Sequence, residues 1–470
     1  MTRIKINPIT RSHGYMSVEV DIQNGEVVDA WSSGLLYRGF EAMLRGRAPH
    51  DAVYLTQRVC GICSSAHALA SSVALEKAFE IEVPFNGVVL RNLIFGADML
   101  QNHLRHLYLL VIPDYINAPQ GAPGGPQKNN DIRLPQNIDE RIQKHYLEAL
   151  EVAHFTHKAV AAFGGKAPHL QSILAGGVTE QVLTDRVMHF QALVAKVYDF
   201  IRDKLLPDIE DIARFYSDYF TIGRGYANLL SFGLFPTGEK DEQRVFKAGI
   251  IRDGREKEAF QPQRITQEIG HSWYRGDEGP RPPLEGESEP FPQKGGAYSW
   301  IKAPRYGGEP FEGGALARMW LAGIHTNGVS VMDRLLAKAI EAKEVAERLN
   351  AWIPTLVPDR PTIHWVDPLP PHGEGFGLID SMRGTLAHWV KVRNHRITSY
   401  RIITPSAWNL SPRDDAGKRG PLEEALIGTP VVDIENPVEV GRVVRSFDPC
   451  ISCAVHVLQS NGLAKPWRCF

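Results

Sequence analysis

A mixed α+β fold is predicted for this chain of 470 residues from three observations. Residues 4–31 alternate apolar and polar side chains on both sides of Asn24-Gly25, the pattern of a β-hairpin. Several later segments carry apolar residues at helical spacing. Two CxxC pairs, Cys60/Cys63 and Cys450/Cys453, lie about 390 residues apart. A single site built from both would join the ends into one interwoven unit, where length alone permits several domains.

Taken in order, the strands of 4–31 are followed by a helical turn at LYRGFEAMLRG. The first cysteine pair opens SSAHALASSVALEKAFE, an apolar stretch that suits a helix, and residues 88–112 are predicted helical up to Pro113. NAPQGAPGGPQKNN is a loop. Helical periodicity returns over 134–163 and 179–218, the second with a break expected at Pro207. Residues 255–296, rich in Gly, Pro, Glu and Trp, are predicted irregular. DRLLAKAIEAKEVAERLNAWI is the clearest amphipathic helix, with Asp333 as its expected N-cap, and 384–397 is a further helix candidate.

The composition is 43% hydrophobic and 23% charged, with a formal charge of −2, enough for a large core and too balanced to attract nucleic acid or an anionic membrane. No basic block occurs, so no nucleic-acid partner is expected. The polar N-terminus has no signal-peptide core. No apolar run nears the roughly 18–20 residues that cross a bilayer, since LYLLVIPDYI is interrupted by Pro113 and Asp114. Five cysteines, four of them in pairs, suit metal or redox chemistry better than a disulfide framework.

Each CxxC pair puts two thiolates within reach of one ion, and two pairs give four soft ligands. A structural zinc site, a four-cysteine iron–sulfur cluster and a catalytic metal all fit that set. His67 follows Cys63 by four residues and His456 follows Cys453 by three. Imidazoles beside both pairs favour a metal whose surroundings are tuned for reactivity.

RVCGICSSAH and DPCISCAVH resemble the two metal-binding motifs of the large subunit of nickel–iron hydrogenases. GLLYRGFEAMLRGRAP, GGVT, YSWIKAPRYGGEPFEGGALAR, RGTLAHW and PSAWNLSPRDDAGKRGPLEEALIGTP continue the similarity through most of the chain. The resemblance implies that family's fold, a central bundle of long helices with peripheral strands. It implies a single catalytic unit over 1–456. It also implies a Ni–Fe centre in which Cys60 and Cys450 are terminal nickel ligands, while Cys63 and Cys453 bridge to an iron carrying carbon monoxide and cyanide.

By the same resemblance Arg383 is suspended above the open metal site, where a guanidinium orients H2 and stabilises developing charge. Asp448 is its expected partner, and Arg413 another member of that polar canopy. Pro405 and Ser406 match the pocket around the cyanides, Leu386 the apolar side near carbon monoxide, and His67 a position near a bridging sulfur. Glu41, His456 and the Ile402 carbonyl match the ligands of a magnesium or similar ion.

The implied reaction is reversible cleavage of H2 into protons and electrons, with the Cys450 sulfur or Arg383 as candidate bases. No cysteines remain for iron–sulfur clusters, so an iron–sulfur small subunit is the implied electron-transfer partner. Location stays open, because such a subunit is either cytoplasmic or exported or membrane-associated through its partner. A hydrogen sensor on the same scaffold is the alternative function.

Two departures stand out. Where the family has R-x-E-G-H, with glutamate as first proton relay, this chain reads RSHG; the relay falls to His13 or to another carboxylate. Asn102 replaces an aspartate usual in the canopy, and an amide cannot offset positive charge as a carboxylate does. Finally, the resemblance makes residues 457–470 a maturation tail. A dedicated protease removes it after nickel-insertion factors have acted, and Cys469 goes with it.

Overall fold

The computed structural model describes residues 1–117, 131–238, 243–276, 279–285 and 289–454, the last without the side chains of 453 and 454. Strands Thr2–Ile6, Met16–Gln23 and Glu26–Gly34 form an antiparallel sheet in that order. Its second turn is the expected one: Asn24 and Gly25 have φ of 55° and 80°. Positive φ at both central residues is what a tight hairpin of native twist requires.

Four long helical stretches make the centre. They are Phe85–Leu104, Gln136–Gly164, Thr184–Phe200 and Val331–Trp352, each packed on at least two of the others. The first runs on as a π-turn over Arg105–Val111 and ends in the Ile112–Asp114 turn that holds Pro113. Pro207 does not break the third. A π-turn over Ile201–Leu205 leads into Leu206–Phe215, and the proline falls in the first turn of that segment, where a missing N–H costs nothing. The N-cap of Val331–Trp352 is Ser330, not Asp333: the Ser330 hydroxyl accepts the Asp333 N–H at 3.1 Å. The predicted loop lies outside the described residues from 118 onward. The 255–296 region holds only short strands such as Ile265–Glu268 and the single 3-10 turn Pro262–Arg264 among its described residues.

The helix expected over 384–397 is a hairpin. Gly373–Ser381, Gly384–Arg393 and Arg396–Ile403 form an antiparallel meander whose second turn, Asn394-His395, again has positive φ at both residues. The middle strand is buried on both faces along most of its length. Such a strand lacks the alternation that separates strand from helix.

Helix Ser64–Phe79, which begins beside Cys63, lies on this meander through three glycines. Gly373, Gly375 and Gly377 share one face of their strand. A Cβ on each would strike the helix at Ala78, at Ala74 and Ala78, and at Ala70 respectively. The two-residue period of the strand thus meets the four-residue period of the helix, at a separation that only glycine permits.

The core also contains a closed ionic cluster. Arg318 donates to Glu341 at 2.5 and 2.8 Å and to Asp380 at 3.1 Å, and His103 Nε2 lies 2.8 Å from Glu341. All four are fully buried, and they join the Phe85–Leu104 and Val331–Trp352 helices to the meander. Burial pushes His103 down to about 4 from its ordinary 6.5, while against burial Arg318 holds Glu341 down to about 2.

Gly377→Ala is expected to lower stability by about 1–3 kcal/mol in thermal unfolding, because helix Ser64–Phe79 must lift off its strand. Gly295→Ala, with open space around it, is expected to do nothing comparable. The unfolded chain protonates His103 below pH 6.5, whereas the folded chain keeps it neutral to about 4. Stability should therefore fall as pH drops through that window. In His103→Gln the fall should be shallower by about 1.4 kcal/mol per pH unit, read from denaturation curves of the two proteins.

Candidate metal centre

The two ends of the chain meet in the interior. Cys60, Cys63 and Cys450 are buried, and their sulfurs lie within 4.8 Å of one another. Cys60 Sγ and Cys450 Sγ are 3.5 Å apart. That is far beyond the roughly 2.05 Å of a disulfide. It matches the roughly 3.3–3.8 Å between two thiolates that each sit about 2.3 Å from one ion. The backbone of Cys453 continues the short helix Ile451–Ala454; its side chain lies outside the description, as does all of His456.

Backbone and side-chain clamps hold the pairs together. Cys60 ends the turn Gln57–Val59, and Cys63 is the N-cap position of helix Ser64–Phe79. The N-terminal segment brackets the other pair: His13 N–H donates to the Pro449 carbonyl at 3.1 Å, and Ile451 N–H donates to the His13 carbonyl at 2.7 Å. Arg38 donates to the carbonyls of both Val59 and Ser452, bridging the two motifs through one guanidinium. The Cys450 N–H donates to Ser406 Oγ at 3.0 Å, and Pro405 opens the short helix Pro405–Asn409.

Arg383 occupies the two-residue connection between strands Gly373–Ser381 and Gly384–Arg393. It is 3% exposed, so its charge must be met by the protein. Nε lies 3.1 Å from Asp448 Oδ1 as an ion pair, Nη2 donates to Asn102 Oδ1, and neither Nε nor Nη1 has a hydrogen-bond partner among the described residues. Burial opposes the guanidinium charge, yet Asp448 and the Cys450, Cys63 and Cys60 thiols hold it well above its ordinary value. Asp448 is likewise held well below the ordinary carboxylate range, against burial, by Arg383 and its other cationic neighbours. A buried donor left unused beside a thiol cluster fits a group bound between them.

Several predicted residues fall together. Glu41 Oε1 accepts the Ile402 N–H at 2.9 Å, so two of the three expected magnesium positions adjoin, with Lys302 Nζ 4.0 Å from Glu41. Leu386 is buried in the meander strand that follows Arg383. His67 Nδ1 lies 3.1 Å from His388 Nε2; His388 Nδ1 is 2.8 Å from the Tyr400 hydroxyl, itself 3.0 Å from Ser71 Oγ. Burial pushes His67 down to about 4. His13 is also pushed down to about 4, first by burial and then by Arg383. Asp98, one turn before Asn102, accepts from Ser65 Oγ and is pushed up to about 6 by burial.

Arg413 is not in the canopy. It pairs with Asp29, stacks over Trp31, and its N–H meets the Tyr298 hydroxyl at 2.8 Å. Its neighbour Asp414 goes to another arginine, Arg305, at 3.0 Å. What sequence reasoning missed is a buried lysine. Lys338 Nζ is 2.6 Å from Asp448 Oδ2 and 3.2 Å from His106 Nδ1. A signal for it exists: Arg334, Lys338 and Glu341 recur at helical spacing in phase with the apolar face of their helix.

A fold of this kind closing on buried cysteines from both chain ends defines a thiolate metal-centre protein. The description "Nickel-dependent hydrogenase" matches residues 38–133, 125–329 and 322–456, and the chain belongs to that family. It is 39% identical to the periplasmic [NiFeSe] hydrogenase large subunit of Desulfomicrobium baculatum, over 98% of this chain and 96% of that one. It is 30% identical to the hydrogenase-2 large chain of Escherichia coli K12, covering 98% of both. The reduced Ni-Fe-Se hydrogenase of D. vulgaris Hildenborough superposes with a TM-score of 0.93 at 39% identity, covering 97% of this chain and 100% of that chain. Where the names of two of these relatives carry selenium, all four CxxC positions here are cysteine. Among the described residues no helix is long and apolar enough to cross a membrane.

Cys60→Ser and Cys450→Ser are each expected to lose bound nickel in purified protein, measured by elemental analysis. Cys469→Ser, outside both pairs, should keep it.

Proposed function

We propose that this chain is the catalytic large subunit of a nickel–iron hydrogenase, cleaving H2 reversibly and heterolytically and passing the electrons to an iron–sulfur small subunit. One observation carries the reading: thiols from both CxxC pairs converge in the interior beside a buried arginine that has an unused donor. Membership of the nickel-dependent family supports it. Residues 1–456 form the working unit.

Cys60 and Cys450 would hold nickel, and Cys63 and Cys453 would hold both nickel and iron. The bound pair, with carbon monoxide and cyanide on iron, would supply the polarising power and the electron acceptor that H2 cleavage needs. Ser406, already bonded to the Cys450 N–H, lines the cyanide side with Pro405, and Leu386 keeps the opposite wall dry. Glu41, the Ile402 carbonyl and His456 would hold magnesium or a similar ion.

Arg383 is kept charged, so it acts as a donor and orienting cation. Two protons accompany the two electrons that go to the small subunit, and each in turn goes to the Cys450 sulfur. From there His13 takes it on: its backbone brackets the Cys450 segment, and a neutral imidazole accepts at one nitrogen while releasing from the other. Asp98, a neighbouring buried carboxyl near neutrality, is the competing relay.

Nickel-insertion factors and a protease that removes residues 457–470 complete the centre. Export with the small subunit accords with the periplasmic Desulfomicrobium relative.

Arg383→Lys should lower kcat for H2 oxidation by about 10²–10³-fold with nickel and iron retained. Hydrogen–deuterium exchange between H2 and D2O assigns the relay. It should collapse in metal-loaded His13→Ala, whereas loss confined to Asp98→Asn would move the role to Asp98.

A further inference from the structure

Asp448 is the hub of the charged cluster above the thiols, and three elements distant in sequence converge on it. Asn102, on helix Phe85–Leu104, donates from Nδ2 to Asp448 Oδ2 at 2.9 Å and accepts Arg383 Nη2 on its own Oδ1. Its amide therefore fits one way round, as a bridge between a carboxylate and a guanidinium. A carboxylate at 102 would put two anionic oxygens at that contact distance. The substitution relieves this repulsion but leaves Asp448 as the anion Arg383 leans on.

Lys338 completes the arrangement from the opposite side. It is 5% exposed, on helix Val331–Trp352, and its Nζ reaches Asp448 Oδ2 at 2.6 Å. Its second partner is fixed by tautomer logic. His106 Nε2 lies 2.7 Å from the Arg445 carbonyl, which can only accept, so Nε2 carries the proton. His106 Nδ1 is then a bare acceptor for Lys338 at 3.2 Å. The same Arg445 carbonyl takes the Asp448 N–H at 3.0 Å, and Asp448 itself sits at φ 51°, a conformation disfavoured for a residue with a Cβ. Lys338, itself held by His106, and Asn102 thus pin Oδ2 of Asp448 and leave Oδ1 for Arg383.

We infer that Lys338 is a positioning residue for hydrogen cleavage: it fixes Asp448, and through Asp448 it fixes the direction of the Arg383 guanidinium over the thiol cluster. The inference rests on the placement of Arg383 above a metal centre. Its own content is that the effect of Lys338 passes through Asp448.

The test compares Lys338→Met, Asp448→Asn and the double variant in the purified, metal-loaded heterodimer. Lys338→Met should keep nickel and iron and shift the g-values of the nickel resonance signal. It should lower kcat by about tenfold or more, the rate equivalent of one charge-assisted hydrogen bond, with KM for H2 within about twofold. In the Asp448→Asn background the same substitution should add less than about twofold, the signature of two residues acting as one unit.

Wild-type kcat and an unshifted signal in metal-loaded Lys338→Met would overturn the inference, as would a full tenfold loss in the Asp448→Asn background. If Lys338→Met does not accumulate, a crystal structure of the wild-type heterodimer decides. Lys338 Nζ hydrogen-bonded to Asp448 supports the inference, and Nζ directed elsewhere ends it. Absence of nickel from the wild-type heterodimer would instead fail the hydrogenase reading itself.

Discussion

Thiols gathered to within 4.8 Å of one another in a dry interior repel once ionised, and much of this chain is arranged around holding them there. A soft cation between them resolves the repulsion. Arg383 offsets the remainder from one side, and the backbone clamp at His13 and the side-chain clamps of Arg38 and Ser406 prevent the two motifs from parting. In the proposed function the centre closes the fold as well as performing the chemistry. Each sulfur pair is local in sequence, but neither makes a site without the other end of the chain.

The scaffold serves that closure by stiffness. Helix Ser64–Phe79 carries the first pair at its start and is pressed onto the meander by the glycine face at 373, 375 and 377. The same meander presents Arg383 from the turn that follows those glycines. The distance between the guanidinium and the first thiol pair is thus set by one helix–strand contact. On the other side, the ionic cluster of Arg318, Glu341, Asp380 and His103 fixes the Val331–Trp352 helix one turn away from Lys338. Buried ion pairs of this kind add little net stability but penalise alternative packings heavily.

Features carried by local pattern were legible in the sequence. The Asn24-Gly25 hairpin, the long helices and the convergence implied by two CxxC pairs needed only periodicity, turn chemistry and ligand type. The 384–397 segment misled because a strand buried on both faces has no alternation to read. Ser330 in place of Asp333 shows a lesser form of the same difficulty, since both residues can cap and only three-dimensional placement chooses. Arg413, drawn into the canopy by resemblance, answers to Asp29, a residue almost four hundred positions earlier. Lys338 was hidden for the matching reason. Its partners, Asp448 and His106, come from two distant segments, and no window of sequence contains the three. The glycine face is an intermediate case: GEGFG is visible as a pattern, but the alanines it fits are three hundred residues away.

The central claim is that both sulfur pairs bind one nickel. X-ray absorption at the nickel edge of the purified heterodimer tests it most directly. Nickel is expected in stoichiometric amount, with four sulfur scatterers at about 2.3 Å. A protein that turns over H2 with nickel bound by only two sulfurs, or one matured and loaded with zinc alone, would contradict it.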